Sequence, residues 1–201
     1  MNHIKISGYL EKLYFSHTVL NRPRYEGILC VPRPSGACDH ILIQMWETDL
    51  TVGNPYTVEG EIRTSRYRGE DPHHPHKITY VIAYSIAPCV PELIGQNEVE
   101  VSGTVVYKSN LRVTPITDRT VMGFQICTPS KHHQSYLNVV VWGRTAETLA
   151  EKMPMDVSPY IKGRLHSREY LKENSIYRIH EICATEVAYL GKDTKSNPSE
   201  T

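Results

Sequence analysis

This chain repeats itself. "IKISGYL" at 4–10 aligns with "VEVSGTV" at 99–105, which sets Gly8 against Gly103. "GILCVPR" from Gly27 aligns with "GFQICTP" from Gly123, "ILIQMW" ending at Trp46 with "LNVVVW" ending at Trp142, and "VEGEIRTSRY" ending at Tyr67 with "IKGRLHSREY" ending at Tyr170. The order is kept throughout, so the chain reads as a tandem duplication. Whatever the fold is, it must fit twice into 201 residues of which 40% are hydrophobic. That leaves roughly 100 residues per copy, enough for one small core.

Within each copy apolar residues alternate around Gly-centred bends, the period of strands. The first copy predicts strands at 4–13, 27–32, 41–46, 56–67 and 77–86, and the second at 99–107, 120–128, 136–142, 159–170 and 176–187. A glycine inside a strand marks a bulge or sharp bend, which lets a short sheet curl. The helical segment "RTAETLAEKM" at 144–153 puts Ala146, Leu149, Ala150 and Met153 on one face and falls between the third and fourth strands of its copy. Five strands with a helix after the third is the layout of an OB-fold. The expectation is an all-β chain of two tandem five-stranded OB-fold barrels, the second with a short helix between its strands 3 and 4. In the first copy the helical segment shrinks to "ETDLTVGNP", too short and broken for a comparable helix, which marks that copy as the divergent one. The boundaries follow: a first barrel at 1–87, the linker "PCVPELIGQ" at 88–96, a second barrel at 97–190, and a polar tail at 191–201 expected to be disordered.

Charge and motif content narrow the function classes. Lys plus Arg and Asp plus Glu number 22 each, so contact with nucleic acid must come from local patches, and duplex binding is disfavoured. No window approaches a membrane span and the N-terminus lacks a signal-peptide pattern, so the expectation is a cytoplasmic protein with no membrane partner. The five cysteines include no CxxC pair, and most are expected to be small buried apolar groups. The His-rich runs "DPHHPHK" at 71–77 and "KHHQ" at 131–134 read as solvated loops, because prolines interrupt the first and neither has a spaced fourth ligand. Neither a metal nor a cofactor is expected. Nucleophile-elbow, phosphate-loop and zinc-protease motifs are all missing. His180 and Glu181 are neighbours in a strand and point to opposite faces, so they cannot act together, and an enzyme is not expected. The 13 Tyr against 2 Phe and 2 Trp suit half-exposed faces, where a ring is covered and its hydroxyl stays wet.

One such face can be located. Tyr136, Asn138, Val140 and Trp142 share one side of a strand whose other side is Leu137, Val139 and Val141. In the hairpin that follows, Lys162, Arg164, Arg168, Lys172 and Arg178 outnumber Glu169 and Glu173.

The segments "NEVEVSGTV", "LRVTP", "YLNVVVWGRTAETLAEKM", "IKGRLHSREY" and "YRIHEICATEV", in this order across 97–190, resemble the bacterial single-stranded DNA-binding protein (SSB) family. The specific pair is the Trp-Gly-Arg-x-Ala-Glu junction followed by Gly-Arg-Leu-x-Ser-Arg-x-Tyr; the first copy resembles the family only through the second. The resemblance implies sequence-independent binding of single-stranded DNA, in DNA replication, recombination or repair, with aromatic rings stacking on bases and cations holding phosphates. Stacking of this kind is worth about 1–3 kcal/mol per base and tolerates any sequence. Carried over by position, the stacking residues are Tyr136, Trp142 and Tyr170, and the phosphate contacts Arg112, Arg144, Arg164, Arg168 and Lys172. The first-copy equivalents are His40, Trp46 and Tyr67, with Arg63, Arg66 and Arg68 adjacent; an imidazole at one stacking position implies weaker binding there.

Barrels of this family usually work in fours, so a two-barrel chain is expected to form a homodimer with four OB folds, pairing through the first strands "NHIKISGYL" and "NEVEVSGTV". The chain ends "KDTKSNPSET" rather than in the family's acidic tail with its Pro-Phe tip. Recruitment of replication or recombination proteins therefore lacks its usual device, which leans toward a plasmid, phage or conjugative setting. The implied location is the bacterial cytoplasm, associated with the nucleoid. Two other readings share the fold: a factor like primosomal replication protein n (PriB), and an OB interaction module that binds no nucleic acid.

Overall fold

The structure, a computed structural model, describes residues 1–46, 49–67, 76–115, 117–130, 133–172 and 175–189. The first half contains β1 (Asn2–Val19), β2 (Arg22–Pro32), β3 (Cys38–Met45), β4 (Pro55–Tyr67) and β5 (His76–Pro88). A 3-10 turn at Pro91–Leu93 leads to β6 (Asn97–Ser102), β7 (Thr104–Lys108), β8 (Arg112–Val113), β9 (Thr120–Ser130), β10 (His133–Trp142), helix α1 (Gly143–Lys152), β11 (Tyr160–Lys172) and β12 (Ser175–Ala188).

In the first half β1 pairs antiparallel with both β2 and β4, β2 with β3 and β4 with β5, while β3 and β5 meet in parallel at Ile43↔Val81. The ring is closed, a five-stranded barrel. The second half repeats the pairing order as β6–β11–β12–β10–β9–β7, again with one parallel contact, Val139↔Ile182. Its β6 and β7 are one strand interrupted at Gly103.

The shared glycines have a steric cause. A Cβ on Gly8 would lie 2.1 Å from the Cys30 carbonyl oxygen, and one on Gly103 2.5 Å from that of Cys127. Backbone passes too close at both points for any side chain, so the aligned glycines serve one bend twice.

Inward positions supply the core. Ile4, Ile6, Leu29, Ile41, Ile43, Val58 and Val81 are buried in the first half, and Val99, Phe124, Leu137, Val139, Val141, Ile161 and Leu165 in the second. Each such side chain is worth about 1.5–3 kcal/mol on burial. Helix α1 buries Ala146 and Leu149, with Met153 just beyond its end, as the periodicity predicts; it begins one residue early, at Gly143, whose φ of +61° is left-handed. At the start of each copy an Asn side chain bridges both polar groups of one backbone residue. Asn2 Nδ2 donates to the Ile62 carbonyl (2.7 Å) and Asn2 Oδ1 accepts from its N–H (3.0 Å); Asn97 does the same with Leu165 (3.0 and 2.8 Å).

Several expectations change. β1 and β2 run past their predicted ends into a long hairpin closed by Leu20 and Asn21 at φ 48° and 61°, the left-handed pair of a two-residue turn. The linker lies along β1, with Ser7 N–H donating to Gln96 O and Gly95 N–H to Ser7 O, both at 2.9 Å. The first strands do not wait for another protomer: β1 and β6 pair antiparallel with each other, from Asn2↔Val101 to Ile6↔Asn97. A tether this short keeps the two edges at high effective concentration, so they pair within the chain. Of the five cysteines, all free, only Cys30 is buried; Cys38, Cys89, Cys127 and Cys183 are half-buried, on outer strand positions or in the linker. The tail from 191, Arg68, residues 71–75 of the first His-rich run and residues 131–132 of the second lie outside the described residues.

A second seam joins the halves with near two-fold symmetry. His40 N–H donates to Ser167 Oγ (2.8 Å), and Tyr136 N–H to Thr64 Oγ1 (3.0 Å). Ser167 N–H donates to Asp39 Oδ1 (2.7 Å), and Thr64 N–H to Ser135 Oγ (3.3 Å). Arg33 Nη2 donates to the Ser167 carbonyl (2.8 Å), and His133 Nε2 to that of Thr64 (2.7 Å). His180 Nε2 adds a bond to the His40 carbonyl (2.9 Å).

Candidate functional site

β10 is the clearest part of the site because its two faces separate cleanly. Leu137, Val139 and Val141 are at most 2% exposed, whereas Tyr136 is 38% exposed and Trp142 half-buried. The strand is held between β9 along its length and β12 at Val139 and Val140, so its outer face is fixed in orientation. Trp142, at the far end, stands beside the Cys183 thiol, with the Arg119 guanidinium 5.7 Å from its ring centre.

The expected cations have different surroundings. Arg144 is exposed in the first turn of α1, and Arg112 is exposed on β8, paired to Val121. Arg164 is half-buried on the outer side of β11. Arg168 is exposed, its Nε 3.7 Å from Glu181 Oε1. Tyr170 and Lys172 occupy β11 positions opposite Tyr177 and Ser175, and Arg66 and Tyr67 occupy β4 positions opposite Lys77 and His76. The side chains of these four lie outside the described residues.

In the first half two of the expected stacking residues, Trp46 and His40, are already engaged. Trp46 is half-buried, with Arg22 and Arg24 5.1 and 4.8 Å from its ring centre. Arg63 is ion-paired with Glu61. His40 is half-buried, with Nε2 3.4 Å from Glu11 Oε2, so its ring is not free to present a face to a base.

Three contributors were missed by sequence reasoning. Arg24 lies in the unforeseen extension of β2, and its Nε and Nη2 are buried without a hydrogen-bond partner among the described residues. Burial, and to a lesser degree nearby Arg63, pulls its pKa down from the usual guanidinium value. A buried guanidinium nitrogen without an acceptor is costly, and a phosphate oxygen is an acceptor of matching charge. Lys77 closed the run read as a loop; it is exposed overall, but its ammonium sits 3.3 Å from Asn138 Oδ1 and desolvation lowers its pKa to about 8. Arg119 had no signal beyond its charge.

Tyr136 and Lys77 come together in a groove of about 560 Å³ lined also by Thr64, Ser65, Gln125, His133 and Gln134. It crosses the seam, drawing Thr64, Ser65 and Lys77 from one half and the rest from the other. Trp142 lies outside it, at the opposite end of β10. The arrangement offers a polar floor, an exposed ring and a cation, and suits an extended polyanion with flat unpaired bases better than a compact ligand.

Comparison with known proteins agrees with this geometry. Residues 96–190 match the single-strand binding protein family. The single-stranded DNA-binding protein 2 of Streptococcus agalactiae serotype V is 31% identical over 96 residues, which cover 44% of this chain and 72% of that protein. The single-stranded DNA-binding protein 3 of Clostridium acetobutylicum is 27% identical over 110 residues, 51% of this chain and 76% of the relative. Over the whole length the fold is similar to crystal structures of the single-stranded DNA binding protein from Thermus aquaticus. The wild-type structure has a TM-score of 0.75 at 17% identity and covers 100% of this chain and 96% of that one. A deletion mutant of the same Thermus protein gives the same TM-score and identity, with 98% of each chain covered.

Proposed function

Because the chain belongs to the single-strand binding protein family, we propose that it binds single-stranded DNA without strong sequence preference, by base stacking and phosphate contacts. The observation that carries this reading is the outer face of β10, where Tyr136 and Trp142 stand opposite buried Leu137, Val139 and Val141, with Lys77 beside Tyr136 and Arg119 beside Trp142. Stacking rings amid cations are what an unpaired, flexible strand needs; a duplex hides its base faces. We take the molecule to be two tandem OB-fold barrels, 1–87 and 97–190 joined by 88–96, a reading supported by the repeated pairing order. The seam-crossing groove favours a strand path that continues from one half to the other. Trp142, Tyr136 and Tyr170 supply the main stacking platform, with Arg112, Arg144, Arg164, Arg168 and Lys172 on phosphates. The first half contributes less, since His40 and Trp46 are already engaged.

The role follows the family: protection and handling of single strands in replication, recombination or repair, in the bacterial cytoplasm near the nucleoid. No helix among the described residues is long and apolar enough to cross a membrane.

The test is tryptophan fluorescence titration with oligo-dT, oligo-rU and duplex of equal length at two salt concentrations. Oligo-dT should quench and duplex should compete poorly, with affinity falling as salt rises. Duplex binding as tight as oligo-dT would refute the single-strand reading. A homodimer with four barrels is the proposed assembly. With β1 and β6 paired inside the chain, its contact must use another surface, and light scattering should give close to twice 22.9 kDa. A monomer at micromolar concentration, with and without oligo-dT, would exclude it.

A further inference from the structure

The divergent first half carries a side-chain cluster that DNA binding does not use. Ligand atoms of Glu11, Cys30 and His40 lie within 4.8 Å of one another. Cys38 lies two residues from His40 on the same face of β3, and its thiol neighbours that of Cys30. We propose that these four side chains form a binding site for a thiophilic divalent cation, Zn2+ by the chemistry of its donors.

The donors come from three strands, and the pairing explains why they meet. Cys30 on β2 is directly opposite His40 on β3, and Cys38 is opposite Pro32, so Cys30, Cys38 and His40 share the outer face. Glu11 is the extra residue of a β-bulge, set between Leu10↔Leu29 and Lys12↔Ile28. The bulge turns its carboxylate toward the same point, leaving Oε2 3.4 Å from His40 Nε2. Zinc bonds of about 2.0–2.3 Å in a tetrahedron place ligand atoms roughly 3.3–3.8 Å apart. The Glu11–His40 spacing already fits, the ligand atoms of Glu11, Cys30 and His40 all lie within 4.8 Å of one another, and Cys38 would turn in as the fourth donor. Two thiols, an imidazole and a carboxylate make a donor set that zinc takes and that magnesium or calcium does not.

The second half is an internal control. At the equivalent bulge, between Val105 and Tyr107, stands Val106; opposite Cys127 stands Tyr136, and opposite Pro129 stands Gln134. Only one of the four ligand positions keeps a ligand, so the set is private to the copy whose stacking position became His40.

The test uses the full-length reduced protein, stripped by a chelator and titrated with Co2+ and then Zn2+ in the absence of DNA. One equivalent of Co2+ should give the intense visible spectrum of a four-coordinate ion and a near-ultraviolet thiolate-to-cobalt charge-transfer band, both lost on adding one equivalent of Zn2+. Loss of an outer-shell partner alone costs 10–100-fold in metal affinity, so Cys30→Ser and His40→Gln should each weaken Zn2+ binding by more than about 100-fold. Cys89→Ser, in the linker, should bind like the unmodified chain. Should Cys30→Ser lose the native circular dichroism, the half-buried His40→Gln carries the test. Absence of the charge-transfer band, wild-type affinity in His40→Gln, or a Cys30–Cys38 disulfide in a protein whose reduced form takes up no metal would each overturn the proposal.

Discussion

Asp39 tests the seam most sharply. Its side chain is fully buried, accepts from Arg33 Nε at 2.9 Å and Ser167 N–H at 2.7 Å, and pairs with Arg33 Nη2. Asp39→Ala removes one partner of a buried ion pair, which costs about 3–5 kcal/mol when the other charge stays behind. The lower end applies, because the Arg33 side chain is 19% exposed and keeps its bond to the Ser167 carbonyl. The orphaned Ser167 N–H adds about 1 kcal/mol, for a total of about 4 kcal/mol. The symmetry-related change is Ser135→Ala, where a neutral acceptor leaves Thr64 N–H at 3.3 Å, worth about 1 kcal/mol. Urea unfolding followed by circular dichroism should show that difference directly, with Asp39→Asn between the two because it retains an acceptor for Ser167. An Asp39→Ala variant no less stable than Ser135→Ala would refute the claim that a buried pair anchors this seam.

Other outcomes follow from the site. Trp142→Ala should weaken oligo-dT binding by about 1–3 kcal/mol, and Trp46→Ala by less, since Arg22 and Arg24 already cover its ring; equal losses in a fluorescence-anisotropy titration would sink the asymmetry. Lys77 loses its proton near pH 8, and a phosphate contact favours the charged form. Affinity for oligo-dT should therefore be full below pH 8 and fall as pH rises above it, and Lys77→Met should flatten that limb of the titration. Burial holds the His180 pKa below its ordinary value of about 6.5. The unfolded chain takes up that proton first, so stability is full above about pH 6.5 and is lost as pH falls below it. His166, also lowered by burial, acts in the same direction. His180→Gln preserves a donor for the His40 carbonyl and should shallow the acid limb of Tm against pH; an unchanged limb would assign it elsewhere.

The second half was legible because its signals are local. Alternation from Tyr136 to Trp142 separates the faces of β10 without any knowledge of its neighbours, and the helical period of 144–153 placed α1 to within one residue. What the sequence hid depends on register between distant strands. Nothing near Tyr14 announces that β1 continues to a two-residue turn at Leu20 and Asn21, because alternation slips at the bulges between Leu10 and Lys12 and between Phe15 and His17. The pairing of β1 with β6 replaced an expected contact between protomers for the same reason: the residues were suitable edges, and proximity decided which edge they met. The cluster of Glu11, Cys30 and His40 was invisible as spacing, since its members are brought together by a bulge and a cross-strand pair.

The seam explains how one copy could diverge at its surface without losing its place in the fold. Its reciprocal bonds reach backbone N–H groups of His40, Tyr136, Ser167 and Thr64, and the side-chain acceptors are Ser167, Thr64, Asp39 and Ser135. His40 and Tyr136 thus contribute only their main chain to the contact that positions them. Exchange of a phenol ring for an imidazole at that point leaves the seam intact and changes only what faces outward. On one side the result is an exposed ring beside Lys77; on the other it is an imidazole drawn to Glu11. Two halves held by backbone-directed bonds can therefore keep their geometry while the side chains they turn outward differ.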